Sequence, residues 1–355
     1  MGVEFGVLVD VREGAYGEET VEGVVRAEGL GFAGAWLSEH HLTGDGMLPA
    51  PLVMAGVLVG RTSRIRVGTN ILVLPLHQPL RVAEEVAVLD RVSGGRVMLG
   101  VGQGYSEREF AAFGVDRRRR GALLEEGVEL IRWAWAGDPA PAGNPAWAGG
   151  PASEGGPAAA GNPASAAGSA AGDAAPAGDL VAEGGAAWVG GEVTPRPGGQ
   201  VPVYVAGVTA AGLRRAARIG DGVIVYCATP KDLVARRQLL DEVVDNPPPL
   251  ICTGIMHVDE DADRAWADAA PGIAYLEGEI ASYGGTEPPA LNRADYLVGT
   301  PDDVAERLIA LHAATGFVHF AHWLRLPGMS HEVAMRSLEL VAGRVIPAVR
   351  AGVSR

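Results

Sequence analysis

The sequence predicts an α/β protein, a closed (β/α)8 TIM barrel, from three observations. Short runs rich in Val, Ile and Leu alternate with helical stretches eight times. Helices, not tight hairpins, separate the runs, which implies parallel strands joined by crossovers. A doubly wound sheet has the same alternation but usually shows Gly-x-Gly-x-x-Gly after its first strand, and nothing of that form follows Val9. Eight units in about 300 residues match the usual size of such a barrel.

The elements follow in order. Residues 3–9 form the first strand, and 18–30 a helix stopped by Gly29 and Gly31. Residues 33–38 are the second strand, 49–60 a helix with Pro near its start, 65–74 the third strand, 80–92 a helix, 96–101 the fourth strand and 118–135 a helix. The pattern then breaks. Residues 137–185 are mostly Ala, Gly, Pro, Ser and Asn, with the near-repeats Gly143-Asn144-Pro145-Ala146 and Gly161-Asn162-Pro163-Ala164. Such a segment buries too little to offset its ordering entropy, so it is expected as a flexible insertion after the fourth βα unit. One domain is therefore expected over residues 1–355. The alternation resumes with strands at 201–206, 222–226 and 250–258 and helices at 209–219, 230–244 and 259–283. A loop at 284–296 carries Pro288-Pro289, a helix at 301–315 takes Thr300 as its cap, and strand 317–322 and helix 330–349 complete the count.

Composition bounds the function. With 48% hydrophobic and 20% charged residues the chain affords a large core and is not globally disordered. Its 29 basic and 43 acidic residues give −14, which disfavours nucleic acid and anionic membranes as partners. No window approaches ~18 uninterrupted apolar residues, so no membrane span is expected. The start, Met1 to Phe5, lacks the basic opening of a signal peptide. Cys227 and Cys252 are too few for a disulfide framework and read as buried small hydrophobes, which fits a cytoplasmic protein. Lys231 is the single lysine; the arginine bias warns against reading each arginine as an anion ligand.

In a barrel, chemistry belongs at the C-terminal strand ends. Glu39-His40-His41 closes the second strand and offers acid–base groups or metal ligands, with His257, His319 and His322 as further candidates for a metal. Period two puts His319 and His322 on opposite strand faces. Gly100 to Tyr105 ends the fourth strand as either a tight turn or a place where a flat ring approaches the backbone. Ala206 to Gly212 joins the fifth strand to its helix, and reads either as a phosphate cradle or as an ordinary Thr209 cap. The run Arg117 to Arg120 reads as a solvated helix start or an anion site.

These residues resemble a family. Trp36-Leu37-Ser38-Glu39-His40-His41-Leu42-Thr43 is similar to the Glu-His-His segment of the bacterial luciferase α subunit. Val67 to Pro75, the turn Leu89-Asp90-Arg91-Val92-Ser93-Gly94-Gly95-Arg96, Phe113 to Asp116, Pro202 to Ala206 and Val298 to Pro301 extend the likeness over most of the chain outside 137–185 and 284–292. The resemblance is to luciferase-like flavin monooxygenases. It implies a luciferase-like barrel, often a homodimer, which binds reduced FMN or the deazaflavin F420. His40 falls on the catalytic histidine and His41 on its active-site neighbour, with Glu39 or a backbone group orienting His40. Asn70-Ile71 falls on a non-prolyl cis peptide beneath the flavin ring, and Ala206, Gly207, Val208 and Thr209 on the phosphate loop. Gly102 and Gln103 replace the family's reactive cysteine and a flavin-contacting arginine. A phosphate-binding arginine aligns with Gly121, and Arg120 is the expected substitute.

The implied activity is a two-component monooxygenase, probed by its need for FMN delivered by a separate NAD(P)H:flavin reductase. The substrate class is a small organic molecule: an aldehyde, a ketone or a natural-product intermediate. The rivals are an F420-dependent hydride-transfer enzyme, a non-catalytic flavin-binding protein and a metal-dependent barrel hydrolase.

Overall fold

The computed structural model describes residues 2–12, 16–137 and 193–354. Of the expected insertion, 138–185 lies outside the described residues. In chain order the regular elements are β1 (Glu4–Val9), α1 (Glu18–Gly29), β2 (Gly34–Leu37), α2 (Pro51–Arg61), β3 (Arg66–Thr69), β4 (Leu72–Val73), α3 (Pro79–Ser93), β5 (Val97–Gly102), α4 (Glu107–Ala112) and α5 (Arg120–Ala136). Then follow β6 (Val203–Ala206), α6 (Ala210–Ile219), β7 (Gly222–Cys227), α7 (Pro230–Val243), β8 (Leu250–Gly254), β9 (Met256–Val258) and α8 (Ala262–Gly284). The last are β10 (Leu297–Gly299), α9 (Pro301–Thr315), β11 (His319–Trp323), α10 (His331–Leu340) and α11 (Ile346–Val353).

The main sheet runs β3-β2-β1-β11-β8-β7-β6-β5-β4, all parallel, and the pairing of Val67 with Val97 and Gly68 with Met98 closes it. Counting β3 and β4 as one interrupted strand, this is the eight-stranded barrel. The interruption is the cis Asn70–Ile71 peptide, at the position the resemblance implied.

Alternation along each strand builds two cores. Phe5, Val7 and Val9 face outward into the layer shared with the helices. Leu8 faces inward with Trp36, Met98, Ile224, Ile251, Ala321 and Trp323. Inside, the Trp36 indole N–H donates to His319 Nε2 at 2.9 Å. His322, three residues on, lies on the outer face with its ring 5.7 Å from Phe32. The opposite-face expectation is thereby resolved: His319 is the inward one.

Helix ends follow local chemistry. Pro79 opens α3, Gln78 accepts from Arg81 N–H, and Gly94 closes the helix at φ +71, a left-handed value a side chain would resist. Thr300 caps α9 as the sequence predicts, accepting from Asp303 N–H.

Three elements differ from expectation. The strand read as 250–258 leaves the barrel after Gly254, and β9 pairs with β10 instead. Residues 250–258 are all buried through the switch, Thr253, Gly254 and His257 included, so periodicity did not show it. The helix read as 330–349 contains a π-helical turn at Val341–Val345, directly ahead of Pro347, which has no N–H to donate back into the helix. Helix α4 was not foreseen. Its six residues, capped by Ser106 accepting from Glu109 N–H, are too few for a periodic signal.

Candidate active site

A cavity of about 850 Å³ opens over the C-terminal strand ends. The β2 end supplies its first polar group. Glu39 has a fully buried side chain, its Oε1 accepting from His41 Nε2 at 2.8 Å and His77 Nε2 at 2.7 Å. Oε2 accepts from Val73 N–H. Burial pushes this carboxyl up, but the hydrogen bonds from His41, His77 and Val73 outweigh it and bring it down to about 2. The His41 imidazole is pushed up chiefly by its hydrogen bond to Glu39, and its ring packs 4.6 Å from that of Phe113. Its backbone N–H donates to Glu109 Oε1 at 3.0 Å.

His40 differs. Its ring lines the cavity and makes no hydrogen bond with any described residue. Burial, then the Arg12 guanidinium, pull it down to about 4, so it is neutral at pH 7. The expected Glu39–His40 contact is absent because both Glu39 oxygens are taken by other donors. What holds His40 is its backbone N–H, donating to Leu48 O at 3.0 Å. Arg12 is held by Asp10, Asp45 and Glu279, which ties the end of β1 to α8.

Asn70 and Ile71 both line the cavity, and Asn70 Nδ2 donates to Thr253 Oγ1 at 2.8 Å. Gly102, Gln103, Ala206, Gly207 and Val208 line it too. Two glycines stand at close approaches, and only Gly207 meets fixed backbone. A Cβ on Gly102 would stand 2.7 Å from Ile71 Cδ1, and one on Gly207 would stand 2.8 Å from Gly212 O. Thr209 is an N-cap, its hydroxyl accepting from Gly212 N–H at 3.1 Å, and it is absent from the cavity lining. Gly207, Val208 and Gly212 line the cavity at the α6 N-terminus, where backbone rather than the Thr209 hydroxyl faces the space.

The cations at this end were not foreseen. Lys231 and Arg236, both on α7, line the cavity, and Arg236 donates to Val208 O. Arg120 is elsewhere: its Nη1 donates to Arg117 O at 3.0 Å, and it does not line the cavity. The space above Gly121 is filled by Arg215, whose Nη2 a Cβ there would meet at 2.7 Å. Arg215 also donates to Gln103 Oε1 at 3.1 Å and Glu125 Oε1 at 2.7 Å. Nothing local marked these residues: the Arg215 contacts join positions 90 and 112 apart in sequence, and Arg236 reaches Val208 across 28. His77 lacked a motif in the same way.

The residues fit a flavin or deazaflavin. The cradle at α6 with Lys231 and Arg236 suits a phosphate. Ser38 Oγ and Trp323 Nε1 are buried in the cavity wall without a partner among the described residues, as a ring with polar edges requires. The other expected sites read differently. Among the described residues no three His, Cys, Asp or Glu converge on a metal position. His257 and His322 are buried away from the cavity, each pulled to about 4 by burial. Burial pushes the Cys227 thiol up to about 12.

The luciferase-like monooxygenase family matches residues 3–318, and the chain belongs to that family. It is 42% identical over 106 residues to the alkanal monooxygenase alpha chain of Photorhabdus luminescens, 30% of this chain and 29% of that protein. The first such relatives are thus matched over about a third of their length. Limonene 1,2-monooxygenase of Rhodococcus erythropolis is 25% identical over 93% of this chain and 80% of its own. Among solved structures, the oxygenating constituent of Pseudomonas putida 3,6-diketocamphane monooxygenase, in complex with FMN, has a TM-score of 0.70 at 18% identity, covering 98% of both chains. An F420-dependent secondary alcohol dehydrogenase has 0.67 at 17%, covering 98% of this chain and 99% of its own. Among the described residues no helix is long and apolar enough to cross a membrane.

Proposed function

We propose that this protein is the oxygenating component of a two-component monooxygenase that receives reduced FMN from a separate NAD(P)H:flavin reductase. Its substrate is a small organic molecule. The observation that carries this reading is the pairing, in one cavity, of a cationic cradle at Gly207, Lys231 and Arg236 with an unbonded, neutral His40. Reduced FMN, when bound, supplies electrons and activates dioxygen. The α6 N-terminus and the two cations hold its phosphate. Asn70, Ile71 and Gly102 offer a close backbone platform. His40 accepts a proton at its free ring nitrogen, or donates from the other, next to the reacting atoms. Apolar walls at Leu8, Met47 and Leu276 exclude water from that proton transfer.

A homodimer belongs to the same proposal. Val53 and Val57 on α2 and Val88 and Val92 on α3 are exposed, Val53 and Val92 each at 71%.

The test is oxygen uptake and product formation with a generic flavin reductase, NADH and FMN over a substrate panel. Substrate-dependent oxygen incorporation is expected, and reduced FMN should bind more tightly than reduced riboflavin. Equal affinities would remove the phosphate cradle. Binding and oxidation of reduced F420 in preference to FMN would replace the reading with an F420-dependent hydride-transfer enzyme, F420 being the coenzyme named for one structural neighbour.

A further inference from the structure

One wall of the cavity is unused by that mechanism. Tyr226 is the last residue but one of β7, on the inward face, paired in register with Thr253 of β8. Its hydroxyl is buried and has no partner among the described residues. Glu277 of α8 is 9% exposed and lines the same cavity. Its Oε1 accepts from the Tyr296 hydroxyl at 2.9 Å, and its Oε2 has no partner among the described residues. Burial and then the nearby Glu277 carboxyl push the Tyr226 phenol well up, so it stays protonated and is a donor. Leu276, Ile280, Pro289 and Ala290 give the same cavity apolar lining.

A buried donor without a partner among the described residues, on the same cavity wall as an open carboxylate oxygen, is costly unless a ligand completes it. A hydroxyl alone serves both groups. Its oxygen accepts from Tyr226, and its hydrogen goes to Glu277 Oε2. A carbonyl satisfies Tyr226 and leaves Glu277 unmatched. An ether has the same defect.

We propose that the substrate is a hydroxylated apolar molecule, a phenol or an alcohol, whose hydroxyl docks between Tyr226 and Glu277. This rests on the monooxygenase reading for the word substrate, but the subsite is testable by binding alone. The probes are 4-propylphenol against 4-propylanisole, and cyclohexanol against its methyl ether, titrated calorimetrically into the protein with and without FMN. At least one hydroxyl compound should bind about 10-fold or more tightly than its ether. Tyr226→Phe and Glu277→Gln each preserve volume, and Gln keeps an acceptor for Tyr296. Each should remove most of that discrimination and leave FMN affinity unchanged. Equal binding within both pairs, or no measurable binding of either hydroxyl compound, overturns the proposal. So does a loss of FMN affinity in Tyr226→Phe larger than its loss of hydroxyl affinity, because the phenol would then belong to the cofactor. Discrimination without any FMN binding would uphold the subsite and sink the FMN reading.

Discussion

The β2 end of the cavity and the β7–α8 wall treat buried polar atoms in opposite ways. At β2 the Glu39 carboxyl takes two imidazoles and a backbone N–H. At the other wall Tyr226 and one oxygen of Glu277 are left open. The first arrangement stiffens the scaffold, because every partner it fixes belongs to the protein. The second is incomplete without a ligand. His40 sits beside the saturated group yet belongs with the open ones, which separates it from His41, its neighbour in the chain.

The comparison can be broken most directly at Glu39. Glu39→Ala strands His41, His77 and Val73 N–H, and should cost about 3 kcal/mol of unfolding free energy, read by urea denaturation. A loss below about 1 kcal/mol would mean the network is not structural. Its pH dependence sharpens this. The folded carboxyl lies near 2, below its usual 4.5, so its contribution is complete above about 4.5 and is lost as pH falls toward 2. Glu39→Gln should flatten that acid limb.

His40→Ala should do the reverse. Product formation should fall roughly 10²-fold, oxygen should be diverted to hydrogen peroxide, and reduced FMN should still bind. Wild-type turnover without extra peroxide would remove His40 from the mechanism. Since His40 is held near 4, it is already a base above pH 5, and its contribution to rate should not titrate between pH 6 and 7. An inflection there that disappears in His40→Ala would contradict its burial.

Lys231→Ala should weaken reduced FMN by about 10-fold and leave riboflavin unaffected. The smallest effect is expected from Tyr226→Phe on stability, a change within about 0.5 kcal/mol, because no protein partner loses a bond. A larger loss would show the phenol to be a structural group.

Much of the barrel was legible because β-branched strand runs and capped helices each carry a local signal. Thr300-Pro301 is an example, read from sequence and found in place. The cis Asn70–Ile71 peptide was legible only through family resemblance, since neither residue type forces that geometry. Long-range arrangements stayed hidden. His77 reaches Glu39 across 38 positions, and Arg215 fills the space over Gly121 from another helix. Arg120 looked the better substitute because it is adjacent in the chain, but its side chain turns back to Arg117 O. Thr209 was read both ways, and its hydroxyl caps α6.

The departure of the chain after Gly254 has a further consequence. From β9 to β10 it leaves the barrel, carries α8 and the segment after it, and is fastened by a short parallel ladder, by the Arg12–Glu279 pair and by the packing of α8 on the inner core. Glu277, Ile280, Pro289 and Tyr296 all come from this excursion, whereas Lys231, Arg236 and His40 do not. The organic-molecule wall of the cavity thus draws largely on one continuous stretch of chain, and the proposed cofactor side on others. Within the proposed subsite only Tyr226 is anchored in the barrel itself, so the excursion and the barrel meet at the hydroxyl they are proposed to share.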